Sequence, residues 1–343
     1  MKKSERIEKL SLWGHALGAL VDEIESAGDH SENPLHRVMI QAKNANAWFS
    51  TENILRSMKA HVSWLEKANL EKWVANYPAL ETVSGNKKVA IIMAGNIPAV
   101  GFHDLLSVLI SGHSPVIKCA SDDKFLLPFY IEVLKKISPE WAEMISVQER
   151  FTDIDAVIAT GNNNSSRYFD YYFGKYPHII RKNRNSVGIL KGDETEADFV
   201  NLGEDIFAYF GLGCRNVSKL YVPMGYNFNS FFNAMEKYSE LMNHNKFMNN
   251  YDYHRALYLL NSEQFLTNNF LLLREAAPIA TPVSVLHFDY YEDEKKLEET
   301  LKSEEKNIQC IVGGKYLPFG TSQQPRLDEY ADGVDTLEFL LKL

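Results

Sequence analysis

The sequence predicts an α/β protein with a block of N-terminal helices, a doubly wound parallel-sheet domain and a second α/β domain. Three observations predict it. From residue 88 onward, short runs that are apolar throughout alternate with amphipathic segments, the pattern of a parallel sheet covered on both faces. Each of the first runs ends in a polar or glycine-containing turn, the place where such sheets hold ligands. The chain has 343 residues, enough for two cores rather than one.

Residues 6–27 and about 36–76 read as helices, with Leu10, Leu17, Leu20, Val21 and Ile24 on one apolar face. Ser50 or Thr51 caps the segment through Ile54, Leu55 and Met58, with Glu52 in its first turn. Trp48, Trp64 and Trp73 are the expected anchors of this layer. Lys88–Ala94 is the first strand, followed by Gly95-Asn96-Ile97-Pro98 and a helix through Leu105, Leu106, Val108 and Leu109. Pro115–Lys118 is a strand, Phe125–Ile137 a helix, Asp155–Gly161 a strand, Ser165–Phe173 a helix and Ser186–Leu190 a strand. Residues 195–211 form a helix with Phe199, Leu202, Ile206 and Phe210 on one side, and Lys219–Val222 is the next strand. Helix and strand alternate again over 227–310, ending at Ile308–Val312. The tail, Val334–Leu341, alternates as a strand would and needs a sheet to join, in its own subunit or a neighbour's.

Composition narrows the function classes. Hydrophobic residues make up 45% and charged residues 24%, which is ordinary for a globular protein. A formal net charge of −9 with no Lys/Arg cluster argues against a nucleic-acid partner. The three cysteines, at 119, 214 and 310, show no CxxC pair and no metal-ligand spacing. That pattern points to a reducing compartment, with no disulfide scaffold and no metal. The start, Met1-Lys2-Lys3-Ser4-Glu5-Arg6, leads into a mixed helix rather than an apolar leader. No stretch approaches the roughly 18 apolar residues of a membrane span. A soluble, cytoplasmic protein is expected.

Cys214 is the residue placed as if for chemistry. It lies in Phe210-Gly211-Leu212-Gly213-Cys214-Arg215-Asn216, a glycine turn between a helix and a strand. The preceding glycine lets a substrate approach the sulfur, as a covalent nucleophile requires. The competing reading is a small buried hydrophobe, which is how Cys119 and Cys310 read. An unperturbed thiol is mostly protonated at pH 7, and the C-terminal end of a helix is the wrong end to lower its pKa. Arg215 is the nearest positive charge.

Other polar residues close the strands of the first sheet. Asn96 either donates its amide to an oxyanion or simply forms a turn before Pro98. Lys118 either snorkels to water or meets an anion. Gly161-Asn162 opens a helix, a position suited to a pyrophosphate, but it carries neither a P-loop nor a GxGxxG signature. His103, His113, His178, His254 and His287 have no triad-like context, and Tyr251–Arg255 is an aromatic stretch that lines a groove or merely packs.

Taken in order, these residues resemble the aldehyde dehydrogenase superfamily. Gly95-Asn96-Ile97-Pro98 is similar to its Asn-Phe-Pro turn, Val116-Ile117-Lys118 to the strand ending in the ribose-binding lysine, and Thr160-Gly161-Asn162 to its Thr-Gly-Ser phosphate turn. Gly211-Leu212-Gly213-Cys214 is similar to the nucleophile turn, and Pro318-Phe319-Gly320 to its late Pro-Phe-Gly. The ending Gln324–Leu340, with Asp328-Glu329-Tyr330-Ala331-Asp332-Gly333-Val334-Asp335 at its centre, resembles the acyl-CoA reductase branch found in bacterial luminescence systems. The likeness spans roughly residues 85–340.

The resemblance implies an aldehyde dehydrogenase-like fold. Residues 1–193 would be the N-terminal helices and nucleotide-binding domain, 194–315 the catalytic thiol domain, and 316–343 a return segment serving as an oligomerisation strand. Hydrolytic members carry a Glu-Leu-Gly-Gly-Lys-Ser-Pro segment whose glutamate activates water. Here the corresponding stretch starts at Arg181, so acyl transfer to or from a thiol replaces hydrolysis. NAD-preferring members have a glutamate three residues after the lysine. Ser121 stands there instead, which admits a 2′-phosphate.

The implied activity is NADPH-dependent reduction of a long-chain fatty acyl-CoA to its aldehyde through a Cys214 thioester. Asn96 would serve the oxyanion, and Lys118, Ser121, Gly161 and Asn162 the cofactor. NADH is the alternative cofactor and coenzyme A the co-substrate. The acyl donor would be fatty acyl-CoA or an acyl-protein, and the assembly a homo-oligomer. Two other functions fit the same residues: a short-chain, CoA-acylating aldehyde dehydrogenase, and an acyl-carrying relative that does not reduce.

Overall fold

The computed structural model describes the chain except residues 27, 29, 83, 84 and 162, and at 163 the backbone alone. The chain divides into two compact units, residues 1–182 with 326–343, and residues 183–325.

The first unit opens with four helices, α1 (Lys3–Glu25), α2 (Pro34–Ala45), α3 (Thr51–Trp64) and α4 (Lys67–Val74). Leu10, Leu17 and Val21 are buried on one face of α1. Asn33 caps α2, and Ser50 caps α3 by accepting from the Asn53 amide. Of the expected anchors, Trp73 is buried, whereas Trp48 and Trp64 are only half-buried. The fully buried tryptophans are Trp13 and Trp141, and Trp13 Nε1 donates to the Tyr130 carbonyl at 3.0 Å.

The parallel sheet follows: β1 (Lys88–Ile92), α5 (Phe102–Ser111), β2 (Ser114–Lys118), α6 (Leu126–Ile137), α7 (Pro139–Met144), β3 (Ser146–Val147), β4 (Ala156–Thr160), α8 (Asn163–Phe173) and β5 (His178–Arg181). Its order is β3-β2-β1-β4-β5, and every pairing is parallel. The chain leaves β1 toward β2 on one side and later returns to β4 on the other. That reversal opens a crevice at the carboxyl ends of β1 and β4.

The second unit contains β6 (Asn185–Ile189), α9 (Glu196–Phe207), β7 (Val217–Pro223), α10 (Asn229–Met235), α11 (Asn245–Leu260), β8 (Leu266–Thr267), β9 (Leu272–Glu275), β10 (Val285–Tyr291), α12 (Glu294–Ser303) and β11 (Ile308–Val312). Its sheet runs β11-β6-β7-β10-β9-β8, parallel except for the last pair. The strand at Ser186–Leu190 therefore belongs to this sheet. The helix expected over 195–211 stops at Phe207, because Tyr209 and Phe210 adopt left-handed backbone angles.

The tail corrects the expectation of a strand. Residues 336–341 form α13 (Thr336–Leu341), started by Asp335, whose carboxylate accepts from the Glu338 amide. Leu337 and Leu340, three apart, are buried on the helix's inner side. The residues that alternate also fit one helical face, and the aspartate cap settles the choice. With the tail committed to its own unit, the strand-exchange argument for a homo-oligomer is lost. A hydrogen-bond chain fastens this segment to the N-terminal helices. Trp73 Nε1 lies 2.7 Å from the Tyr330 hydroxyl, which lies 2.7 Å from the Tyr77 hydroxyl, which donates at 2.7 Å to Asp335.

No helix among the described residues is long and apolar enough to cross a membrane.

Candidate active site

In the second unit, α9 leads into the cysteine turn. Thr195 caps the helix and exchanges hydrogen bonds with Asp198. Past its end, Tyr209 (φ 52°), Phe210 (φ 58°) and Gly211 (φ 78°) are consecutive left-handed residues. For the two aromatic residues this costs about 1–3 kcal/mol each, so the surroundings must hold them. Phe210 packs its ring 4.2 Å from that of His244.

Asn216, 1% exposed, supplies most of the remaining hold. Its Oδ1 accepts from the Gly213 amide at 2.8 Å. Its Nδ2 shares two hydrogens among the carbonyls of Asp205 (3.1 Å), Ile206 (3.3 Å) and Ala208 (2.8 Å). One side chain thus ties the glycine before Cys214 to the last turn of α9.

Two further groups brace the turn. Asp205, fully buried, accepts from the amides of Gly320 (2.7 Å) and Ser322 (2.9 Å). This secures the Pro318-Phe319-Gly320 stretch to α9, while burial pushes the Asp205 carboxyl upward. Arg215 does not hang free beside the thiol, since its Nε donates to the Ser322 carbonyl. Ser186 on β6 donates to the Cys214 carbonyl at 3.1 Å and accepts from the Cys310 amide at 3.1 Å. Cys214 itself is exposed. By contrast, burial raises the half-buried Cys119 thiol to about 11, and Cys310 Sγ lies 3.0 Å from the Ser186 hydroxyl. Cys214 is the one exposed thiol of the three, on a turn fixed from several directions.

The first unit gathers the other expected residues at the carboxyl end of its sheet. Ile92, the last residue of β1, pairs with Lys118 on one side and Ala159 on the other. The turns carrying Asn96, Ser121 and Gly161 therefore leave neighbouring strand ends. Gly95 is required here: a Cβ would stand 2.7 Å from that of Ala120, so only glycine lets the Asn96 loop close on the loop holding Ser121. Asp123 locks the two loops, accepting from the Ala99 amide at 2.7 Å and the Leu126 amide at 3.2 Å. Asn96 and Ser121 are exposed. Lys118 is half-buried and donates to the Glu149 carbonyl at 3.0 Å. At Gly161 a Cβ would come within 2.8 Å of Phe169 and 2.9 Å of Ser165, so only glycine lets α8 pack this closely on the turn. Asn162 lies outside the described residues. Cys214 belongs to the second unit.

Arg181, at the position of the hydrolytic glutamate in the resemblance, is buried. It pairs with Asp104 at 2.6 Å and donates to Thr336 at 2.8 Å. It offers no base to activate water. Three of the candidate histidines are committed to backbone carbonyls: His103 to Leu327, His113 to Leu340 and His287 to Pro278. Burial lowers the pKa of all three. Among the described residues, no group of three or more His, Cys, Asp or Glu could hold a metal ion.

Sequence reasoning missed Asn216, Asp205, Asp123 and Ser186. The only signal for them was proximity to the turns they hold. A cleft lined by Ile189, Lys191, Leu297, Leu301 and Lys315 among others lies toward the carboxyl ends of β6 and β11. Cys214 sits at the opposite end, just before β7 begins.

The sequence profile of the acyl-CoA reductase (LuxC) family matches residues 28–208, more than half of the chain, and ends shortly before Cys214. No curated protein matches the sequence significantly. Solved structures similar in fold include the aldehyde dehydrogenase KauB from Pseudomonas aeruginosa, 12% identical over 91% of this chain and 72% of that one, with a TM-score of 0.64. A Mycobacterium tuberculosis aldehyde dehydrogenase complexed with NAD+ is 14% identical over 94% and 75%, with a TM-score of 0.63. Aldehyde dehydrogenase 21 from Physcomitrella patens, in complex with the reaction product succinate, is 14% identical over 100% and 84%, with a TM-score of 0.60. The fold is thus that of the aldehyde dehydrogenases, and the chain belongs to the LuxC acyl-CoA reductase family, an oxidoreductase acting on acyl and aldehyde groups.

Proposed function

We propose that this protein reduces a long-chain fatty acyl-CoA to the aldehyde with NADPH, through a thioester on Cys214. The observation that carries the reading is the exposed Cys214 thiol on a turn locked by Asn216, Asp205 and Ser186. A nucleophile held this rigidly meets the positional demand of acyl transfer, where misplacement by about 1 Å can cost about 100-fold.

The first unit supports a dinucleotide through its topology: Gly161 follows the last residue of β4 and Lys118 ends β2, at the carboxyl end of a parallel sheet where such ligands bind. Lys118, Gly161 and Asn162 would hold it, with Ser121 leaving room for a 2′-phosphate. When bound, it supplies the hydride that reduces the acyl carbon. The chain's own residues do the rest. Cys214 Sγ, as thiolate, attacks the thioester carbonyl and expels the coenzyme A thiolate, which takes up a proton. Asn96 Nδ2 and the Cys214 amide donate to the oxyanion, each worth about 2.7–4 kcal/mol in comparable sites. After reduction, the carbonyl re-forms and Cys214 leaves as thiolate. With Arg181 turned into Asp104 and Thr336, position 181 brings no base to hydrolyse the thioester.

The test is dinucleotide oxidation followed optically with acyl-CoAs from acetyl to palmitoyl, alongside Cys214→Ala. Oxidation dependent on Cys214 and best with long chains supports the reading. A preference for acetyl would make the protein a short-chain, CoA-acylating enzyme. Stable acylation without oxidation would make it an acyl carrier. An acyl-protein donor is distinguished by activity with the acyl-protein and none with acyl-CoA.

A further inference from the structure

Arg181 is a charged side chain only 4% exposed, at the last residue of β5, and the reaction as described does not use it. Its Nη1 meets Asp104 Oδ2 at 2.6 Å and reaches Thr160 Oγ1 at 3.5 Å, and its Nη2 donates to Thr336 Oγ1 at 2.8 Å. Nε makes no hydrogen bond among the described residues, so the guanidinium is held through its two terminal nitrogens alone. Those partners come from three places: the first turn of α5, the end of β4, and the start of α13, 155 residues further on. The Arg181 backbone carbonyl also accepts the Gly161 amide at 3.4 Å. From the other side, Phe169 and Ser165 crowd Gly161 closely. The turn is therefore gripped between α8 and Arg181.

We infer that the Thr336–Arg181–Asp104 lock is a positioning device for the dinucleotide, through which the C-terminal segment sets the Thr160-Gly161 turn. Thr336 and Arg181 are positioning residues that touch no substrate. A planar guanidinium suits this task because its donors point in fixed directions, so each acceptor it binds is fixed relative to the others. Removing the Thr336 acceptor leaves one edge of a buried cation without its partner. Arg181 then shifts toward Asp104 and carries its own carbonyl, and the Gly161 amide bonded to it, out of place. The cysteine turn is braced by residues of the second unit, and no part of this lock belongs to it. The effect is therefore specific to dinucleotide binding.

This inference rests on the reading that Gly161 holds the cofactor, and the experiment separates the two. NADPH affinity is measured by calorimetry on the full chain, and Cys214 acylation by acyl-CoA is measured by mass in the absence of dinucleotide. Thr336→Val, nearly isosteric, is expected to weaken NADPH binding about fivefold, the loss of roughly one net hydrogen bond, while acylation stays within about twofold of the unaltered enzyme by the same scale. Thr336→Ser restores the hydroxyl and should restore affinity, and Arg181→Lys should weaken binding further than Thr336→Val. Unchanged NADPH affinity in Thr336→Val overturns the inference. So does an equal loss of acylation, which marks general destabilisation, or failure of serine to rescue. If the unaltered enzyme acylates Cys214 but binds no dinucleotide, the cofactor reading itself fails and the lock has no such role.

Discussion

Asn216→Ala removes the clamp beneath the cysteine turn. Four hydrogen bonds go with it, one accepted from the Gly213 amide and three donated to the end of α9. A buried group left without a partner costs about 1–3 kcal/mol, and both Gly213 N–H and the Ala208 carbonyl are candidates. Some of the lost bonds re-form with entering water, so a destabilisation of about 2–4 kcal/mol is expected from these terms. At about 2–4 °C per kcal/mol, the unfolding midpoint should fall by roughly 5–15 °C. Tyr209 and Phe210, each held in left-handed conformation, should relax, moving Cys214 and cutting turnover about 100-fold with KM little changed. Asn216→Asp keeps the acceptor for Gly213 but turns a buried carboxylate oxygen onto the carbonyls of Asp205, Ile206 and Ala208, so it should destabilise at least as much as alanine. Thermal unfolding and steady-state kinetics on the three proteins read both effects. Wild-type midpoint and turnover in Asn216→Ala would refute the claim that this side chain shapes the nucleophile turn.

Other residues give separate tests. Ser121→Glu places a carboxylate where a 2′-phosphate would sit, and should raise the KM for NADPH about tenfold, roughly one like-charge penalty, while sparing NADH; an unchanged ratio would remove Ser121 from cofactor choice. Asn96→Ala should lower kcat by about 100-fold, in line with loss of one oxyanion donor, with little change in KM. His61, stacked on Phe102 at 4.3 Å, is lowered to about 3 by burial. The unfolded chain takes up a proton below about pH 6.5 that the folded chain refuses, so stability falls as pH falls through that range, by about 2 kcal/mol at pH 5. His61→Phe should flatten that slope in urea titrations between pH 7 and 5. Tyr330→Phe breaks the chain from Trp73 to Asp335 and should cost about 1–2 kcal/mol in the same titrations.

Much of the fold could be read from periodicity. The apolar runs at 88–94, 115–118 and 155–161 became strands of one parallel sheet, and the residues that close them lie together at its carboxyl end. The tail went astray because Val334–Leu341 satisfies both periods, although Asp335 three residues before Glu338 is itself a helix-start signal. The helix before Cys214 was read too long because Phe210 sits at a helical spacing yet turns to pack on His244. What holds the site was invisible for a different reason. Asp205 reaches across to residues 320 and 322, and Arg181 to 104 and 336. Such long-range hydrogen bonds leave no local pattern in a single sequence.

An acyl-enzyme on Cys214 can be read by peptide mass mapping after exposure to palmitoyl-CoA without dinucleotide. One palmitoyl adduct is expected, on the peptide containing Cys214, which disappears when NADPH is added and yields an equal amount of palmitaldehyde. Aldehyde formation with no adduct at Cys214, or with the adduct on Cys119 or Cys310, would contradict a thioester on Cys214.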